Sequence, residues 1–242
     1  MPIKLQPDNF NLELTSMWSF RDRGNWATHS GRFRGNWSPY VPRNIIMRYS
    51  KTNEWILDQF VGSGTTLVEA KLLGRNAIGI DINENSIFIT NENLNFDCET
   101  NCEVFVKCGD ARNLSCLKDE CIDLICTHPP YANIIQYSKN NIDDISLLDS
   151  NEFITEMQKV AIESYRVLKK GKICAIMMGD TRKNGYIIPL GFKTMGCFLN
   201  AGFILKEIII KEQHNCKSSK YWTKKYYSFL LLAHEYIFIF EK

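Results

Sequence analysis

The segment Trp55-Ile56-Leu57-Asp58-Gln59-Phe60-Val61-Gly62-Ser63-Gly64-Thr65-Thr66 constrains the fold more than any other, because an apolar run passes through a glycine turn into the start of a helix. A strand that ends this way and leads into a helix rejoins its sheet as a parallel crossover unit. The pattern repeats along the chain. Strands are expected at 55–58, 76–81, 104–107, 122–126 and 172–178, with helices at 65–73, 84–93, 152–167 and 192–199. Lys170-Gly171 is expected to end the helix over 152–167. Two long apolar runs, 203–210 and 229–240, close the chain. Together these elements predict an α/β fold: a doubly wound, mostly parallel sheet whose last two strands form an antiparallel edge pair.

At 242 residues the chain has room for one α/β domain with a substantial core, whereas two domains would each be small. Residues 1–44 are rich in Trp, Arg, Gly and Asn, and Arg23-Gly24-Asn25-Trp26 is echoed by Arg34-Gly35-Asn36-Trp37. One echo of this length is no solenoid or propeller unit, so the segment reads as a basic and aromatic N-terminal arm. A short helix at 43–49 is expected after Pro39 and Pro42, and residues 45–242 read as a single domain with a basic insertion at 211–227. A hydrophobic content of 45% with 23% charged residues argues against a disordered chain. No run is long enough to span a bilayer and the first residues lack the apolar core of a signal peptide, so a cytoplasmic protein with no membrane partner is expected. Nine cysteines follow neither a close CxxC pair nor a Cys/His zinc pattern; they read as thiols, and no metal site is expected. The net charge of +2 says little about a polyanionic partner, because the distribution of charge matters more than its sum.

In an open α/β sheet, ligands bind beyond the carboxyl ends of the strands, and the first strand–helix turn supplies the floor. Gly62, Ser63 and Gly64 stand at that turn. Glycines let a ligand approach the backbone, while Thr65 and Thr66 can cap the helix and leave its N–H groups facing an anion. A dinucleotide fingerprint wants a third glycine where this chain has Leu67, and a triphosphate loop needs a lysine that does not follow Gly64. Of the anions weighed, the carboxylate of S-adenosylmethionine fits best. Asp81 ends the next strand, where an acid accepts from ribose hydroxyls, and Asp110 follows the third, where it can receive an adenine amino group.

A second strand end carries the chemistry. Thr127-His128-Pro129-Pro130-Tyr131 follows the apolar run Ile122-Asp123-Leu124-Ile125-Cys126. The stretch from Asp58 to Thr66 resembles the adenosylmethionine motif of DNA amino-methyltransferases, and His128-Pro129-Pro130-Tyr131 resembles their catalytic four-residue motif. The resemblance covers nearly the whole chain, including Gly179-Asp180-Thr181-Arg182 and the closing Ala233-His234-Glu235-Tyr236-Ile237-Phe238-Ile239-Phe240. It implies a class I, Rossmann-like methyltransferase that holds S-adenosylmethionine with Asp58, Phe60, Gly62, Ser63, Gly64, Thr65, Thr66, Asp81 and Asp110. The methyl group would go to an exocyclic amino nitrogen, adenine N6 in preference to cytosine N4. Such a nitrogen shares its lone pair with the ring and is a poor nucleophile until acceptors draw on its protons. Residue 128 and the Pro129 carbonyl would be those acceptors, aimed beforehand by the proline pair, and Tyr131 would stack on a base rotated out of the duplex. One position departs from the pattern: the family usually has Asp, Asn or Ser where this chain has His128. A neutral imidazole accepts on one nitrogen only, and a charged one on none, so activity is expected to fall as His128 is protonated at mildly acid pH.

Two segments are expected to bind DNA. The first carries Arg21, Arg23, Arg32 and Arg34 among Trp18, Trp26, Phe33 and Trp37; the second carries His214, Lys217, Lys220, Trp222, Lys224 and Lys225. A separate target-recognition domain is not expected, so short insertions or a second copy in a homodimer would read the sequence. The expected partners are double-stranded DNA and a cognate restriction endonuclease. The competing readings are methylation of RNA or of a protein side chain, and an inactive DNA-binding subunit in which His128 marks lost activity.

Overall fold

In the computed structural model, which describes residues 4–138, 141–214 and 229–242, the alternation of apolar runs becomes an eight-stranded sheet with helices on both faces. Its strands are β1 (Met17–Trp18), β2 (Trp55–Asp58), β3 (Asn76–Asp81), β4 (Val104–Cys108), β5 (Ile122–Thr127), β6 (Leu168–Met178), β9 (Ile204–Glu212) and β10 (His234–Glu241), with β7 (Thr181–Lys183) and β8 (Tyr186–Ile188) forming a separate hairpin. The helices are α1 (Tyr40–Tyr49), α2 (Thr65–Leu72), α3 (Glu84–Leu94), α4 (Ser150–Val167) and α5 (Leu190–Asn200). The order across the sheet is β1-β9-β10-β6-β5-β2-β3-β4. Strands β4, β3, β2, β5 and β6 run parallel, while β10 is antiparallel to both β6 and β9. The last two long strands therefore form the expected antiparallel pair at one side, with the two residues of β1 beyond them.

The period of two along each strand splits the core into two layers. Ile56, Leu124, Cys126, Ile173, Ala175, Met177, Ile237 and Ile239 pack on one face with Ile45 and Ile46 of α1 and Leu67 and Ala70 of α2. Leu57, Ile125, Cys174, Ile176, Met178, Phe238 and Phe240 pack on the other with Phe153, Met157 and Val160 of α4 and Leu190 and Phe198 of α5. Burial on both faces is why these strands read as continuous apolar runs.

Several boundaries differ from the sequence reading, each for a local reason. Helix α1 begins at Tyr40, because Pro42 falls in the first turn, where a missing N–H costs nothing. Helix α4 begins at Ser150, where Asp149 and Glu152 form a capping box. Lys170-Gly171 does not end α4; the chain turns extended at Leu168, and Gly171 lies inside β6, its N–H donating to the carbonyl of Lys242 at 2.7 Å. Strand β10 starts only at His234, paired with Glu212 at the end of β9, and Phe229, Leu231 and Leu232 before it line a cleft instead. Among the described residues, no helix is long and apolar enough to cross a membrane.

The arm packs onto this core. Trp18, Trp26 and Trp37 are only 3%, 2% and 4% exposed, so their rings face the interior. Glu69, on α2 and fully buried, accepts from Trp26 Nε1 at 2.6 Å and from Arg43 Nη1 at 2.8 Å, and lies 2.6 Å from His29 Nε2. The Arg43 guanidinium also lies over the rings of Phe10 and Trp26 and reaches Gln6. A buried pair of this kind adds little relative to apolar packing, but removing one partner strands the other charge. Glu69→Ala is therefore expected to destabilise the fold by about 3–5 kcal/mol, read as a lower urea midpoint; an unchanged midpoint would mean that the arm is not clamped through Glu69.

Candidate active site

Strand β2 has β3 on one side and β5 on the other, so the strand order reverses beside it and a crevice opens above its carboxyl end. Gly62 and Gly64 make the turn in left-handed conformations, with φ of 55° and 81°, and a Cβ on Gly64 would lie 2.8 Å from Thr90 Cγ2. The loop is pinned from outside: Thr90 Oγ1 donates to the Gly62 carbonyl at 3.0 Å, Asn93 Nδ2 to the Ser63 carbonyl at 2.8 Å and Asn36 Nδ2 to Ser63 Oγ at 3.2 Å. The threonines do not cap α2. Gly64 is the N-cap, no side chain caps the helix, and Thr66 Oγ1 instead donates to the buried Asp58 carboxylate at 2.5 Å, which is the stronger acceptor. The amino end of α2 is thus left without a side-chain cap, as an anion site requires.

Asp58 also accepts from Thr127 Oγ1 at 2.7 Å and from the Phe60 N–H at 3.1 Å. Burial pushes its pKa up to about 6 despite these three donors. Asp81 receives the N–H groups of Gly62 and Asn83 at 2.9 and 3.0 Å, and burial raises its pKa as well. Asp110 is clasped by Arg112 at 2.7–3.0 Å, and Arg112 reaches on to Glu156 at 2.6 Å, which lifts the guanidinium pKa further. Asp58, Asp81 and Asp110 line one cleft of about 800 Å³ together with Phe60, Gly62, Ser63 and Thr65. Gly64 and Thr66 shape the turn from behind.

A larger cleft of about 1640 Å³ opens beside it, bordered by His128, Pro129, Pro130, Tyr131, Asp180 and Phe229. The two clefts share Gly35, His128, Pro130 and Tyr137. Gly35 is there because a Cβ would lie 1.8 Å from the Tyr137 hydroxyl. The Tyr131 ring lies against Gly179, and its hydroxyl donates to Glu235 Oε1 at 2.8 Å while standing 2.8 Å from His128 Nε2. Lys211 pairs with the other Glu235 oxygen at 2.9 Å, and the His128 ring stacks on Trp37 with centroids 5.4 Å apart. Burial pulls the His128 pKa down to about 4, with Glu235 opposing and Lys211 and Arg23 adding to the fall. Protonation in the mildly acid range is therefore corrected: the imidazole stays neutral until pH approaches 4. Burial pushes Glu235 upward, but the Lys211 charge and the hydrogen bonds that Lys211 and the Tyr131 hydroxyl donate hold the carboxyl below its usual range.

Of the residues expected to meet DNA, Arg34 stands at the second cleft and Arg21 and Arg32 face solvent. Arg23 instead donates to the carbonyls of Asn36 and Trp37 at 3.2 and 2.6 Å. His214 sits beside Ser19 and Glu212. Lys217, Lys220, Trp222, Lys224 and Lys225 lie outside the described residues. Sequence reasoning set Trp37 in a DNA-binding segment, whereas its ring stacks on His128, and it gave no site role to Tyr137, Lys211 or Glu235. A signal existed for Glu235, a lone acid at the head of a long apolar strand.

A glycine turn at the reversal of strand order, acids at the ends of the next two strands and one antiparallel strand, β10, set between β6 and β9 define a class I methyltransferase dependent on S-adenosylmethionine. The solved structure of a SAM-dependent methyltransferase from Methanosarcina mazei shares this fold, with a TM-score of 0.57 and 17% identity over 82% of this chain and 96% of that one. The DNA methylase family of N6/N4 type matches residues 4–92 and 122–242, and the chain belongs to it. S-adenosylmethionine is accordingly the cofactor, and the uncapped helix end, left-handed glycines and cleft acids fit it. The family of RNA cap guanine-N2 methyltransferases also matches, over residues 53–177. Among curated proteins, a Type II methyltransferase, M2.LlaDCHI of Lactococcus lactis subsp. cremoris, is 50% identical over 56 residues, which are 23% of this chain and 21% of that protein. A tRNA (guanine(10)-N2)-dimethyltransferase of Pyrococcus abyssi is 27% identical over 161 residues, 66% of this chain and 44% of that protein. The chain thus spans less than half the length of either curated relative.

The two perturbed groups give opposite pH slopes to stability. Asp58 binds a proton near pH 6 when folded against 3.8 unfolded, so it favours the folded state increasingly as pH falls from 6 toward 4. His128 resists protonation down to about 4 against 6.5 unfolded, so its contribution is complete above 6.5 and is lost as pH falls toward 4. Relative to wild type, His128→Asn should gain stability on acidification from pH 7 to 5 and Asp58→Asn should lose it. Denaturation midpoints across that range check this, and parallel curves for the two variants would refute it.

Proposed function

We propose that this methyltransferase acts on an exocyclic amino nitrogen of a base rotated out of double-stranded DNA, with adenine N6 favoured over cytosine N4. The observation that carries the reading is the meeting of the two clefts at His128 and Pro130, one bearing acids and a helix amino end, the other broad and walled by aromatic and apolar side chains. When bound, S-adenosylmethionine supplies an electrophilic sulfonium methyl group. Asp58, Phe60, Gly62, Ser63 and Thr65 would hold its methionine end, Asp81 its ribose and Asp110 its adenine. His128 and the Pro129 carbonyl draw on the two amino protons of the target, which frees the nitrogen lone pair to attack. The prolines fix the carbonyl beforehand, so little reorganisation is needed in the transition state. Tyr131 and Tyr137 offer the aromatic walls that an extruded base requires. Arg21, Arg32 and Arg34, exposed on the arm or at the cleft, suit contact with phosphate.

The family match over the arm as well as the catalytic core supports DNA as the substrate. A second reading, methylation of guanine N2 in RNA, is favoured by the RNA cap family match over residues 53–177 and by the tRNA-modifying relative. Expression in cells lacking other methylases, followed by sequencing of their nucleic acids for modified bases, separates the two. Methylated adenine at one short DNA sequence is the expected result; modified guanine in RNA alone would transfer the site to the second reading, and bound cofactor with no modified base would leave a silent subunit. In the same cells His128→Ala should lower turnover by roughly a hundredfold with cofactor affinity unchanged.

A further inference from the structure

Resting on the base-amino reading above, we propose that Lys211, Glu235 and the Tyr131 hydroxyl form a relay that fixes the tautomer of His128, keeping its proton on Nε2 and leaving Nδ1 as the nitrogen that accepts from the target amino group. The direction of every bond in the relay follows from what each group can donate. Lys211 has only donors, and it holds Glu235 Oε2 at 2.9 Å. Glu235, an ionised carboxylate, has only acceptors, so the 2.8 Å contact from Oε1 to the Tyr131 hydroxyl takes the single phenolic proton. The Tyr131 oxygen then presents lone pairs alone to His128 Nε2, also 2.8 Å away, and the imidazole must donate. A neutral ring with its proton on Nε2 has a bare Nδ1.

The surroundings hold this arrangement in place. Trp37 stacks on the imidazole with the planes 23° apart, and Tyr131 meets it edge-on at 62°, so the plane of the ring is set from two sides. Lys211 and Glu235 are a directly opposed pair on neighbouring strands, β9 and β10, which fixes the far end of the relay to the sheet. The charged or titratable groups acting on His128 are Glu235, Lys211 and Arg23, with Tyr131 in contact. The Glu235 charge is answered by Lys211, so it does not draw a second proton onto the ring. Glu235, Lys211 and the Tyr131 hydroxyl are in this sense positioning groups, acting on the reaction through His128.

The relay can be reversed by one substitution. In Glu235→Gln, Lys211 retains the amide oxygen and the amide nitrogen faces Tyr131; the tyrosine oxygen becomes an acceptor there, its proton turns to His128 Nε2, and the ring proton moves to Nδ1. The test uses the full chain labelled with 15N-histidine, in which long-range proton–nitrogen correlations report each ring's tautomer, and His128 is assigned as the signal lost in His128→Asn. Near pH 7 the wild type is expected to show the proton on Nε2. Glu235→Gln is expected to move it to Nδ1 and to lower kcat by roughly a hundredfold with KM and cofactor affinity little changed. A wild-type proton on Nδ1, or a folded, cofactor-binding Glu235→Gln that keeps the Nε2 tautomer, overturns the proposal. If Glu235→Gln does not fold, the wild-type spectrum decides together with Tyr131→Phe, which should release Nε2 and give a mixture of tautomers; an unmixed Nε2 tautomer there refutes the relay. The spectra need no nucleic acid, so an Nε2 tautomer without base methylation sinks the substrate reading and leaves the relay, whereas methylation by an Nδ1 tautomer sinks the relay alone.

Discussion

The site hangs on one buried carboxylate. Asp58 ends β2 and accepts hydrogen bonds from Thr66 at the start of α2, from Thr127 at the end of β5 and from the backbone of Phe60 in the glycine turn. The glycine turn, the start of the helix that follows it and the end of β5, which lies 69 residues further along the chain, are thereby held within hydrogen-bond length of one side chain. Burial still outweighs the donors, as the pKa near 6 records, so a cost is carried at neutral pH to keep a charge in the interior. The return is geometric. Thr127 immediately precedes His128, so the anchor that orders the turn also sets where the His128 loop leaves β5. The methyl transfer proposed above, in line across the two loops, would need those loops in one register, and a shared anchor would supply it.

The arm finishes what Asp58 begins. Its buried tryptophans and the Glu69 cluster fasten it to α2, and the residues between them reach the site directly: Asn36 to Ser63, Gly35 against Tyr137 and Trp37 on the face of His128. The wall between the two clefts is thus built partly from residues that precede the first long strand. The echo of Arg, Gly, Asn and Trp has a physical meaning in this light, because each copy turns the chain through a left-handed glycine and then buries a tryptophan.

Much of this is legible in the sequence. The central strands and helices follow from apolar period and glycine position, since burial on both faces writes itself into the sequence as continuous runs. The glycine turn and the His128 loop were legible as well, because strand ends carry ligand chemistry in any open α/β sheet. The arm was not. Its tryptophans and arginines follow no helical or strand period, and burial of Trp26 depends on Glu69, a residue that on α2 reads as an ordinary exposed helix acid. The same limit hid the partners of His128. Glu235 and Lys211 come from the last two strands, over a hundred residues further along in the case of Glu235 and Tyr131, and only the sheet order brings them to β5. Boundaries failed where a local bond overruled composition: the capping box at Asp149 advanced α4, and the Gly171 bond to Lys242 turned an apparent helix stop into a strand.

His128 shows why such distant partners matter to the chemistry. A carboxylate or amide in that position carries an acceptor oxygen whatever surrounds it, whereas imidazole accepts only on the nitrogen that its surroundings leave bare. On the function proposed above, histidine there would shift part of the catalytic specification from the loop to the residues behind it. Its low pKa acts in the same sense: burial leaves the imidazole neutral, so on the function proposed above it would accept from a target amino hydrogen. Electrostatic attraction for the cationic methyl donor does not have to come from this position, because Asp58, Asp81 and Asp110 already line the cleft. On the function proposed above, charge at the cofactor and a neutral acceptor at the target would fall on different residues, and a neutral histidine could take the acceptor position without weakening the other.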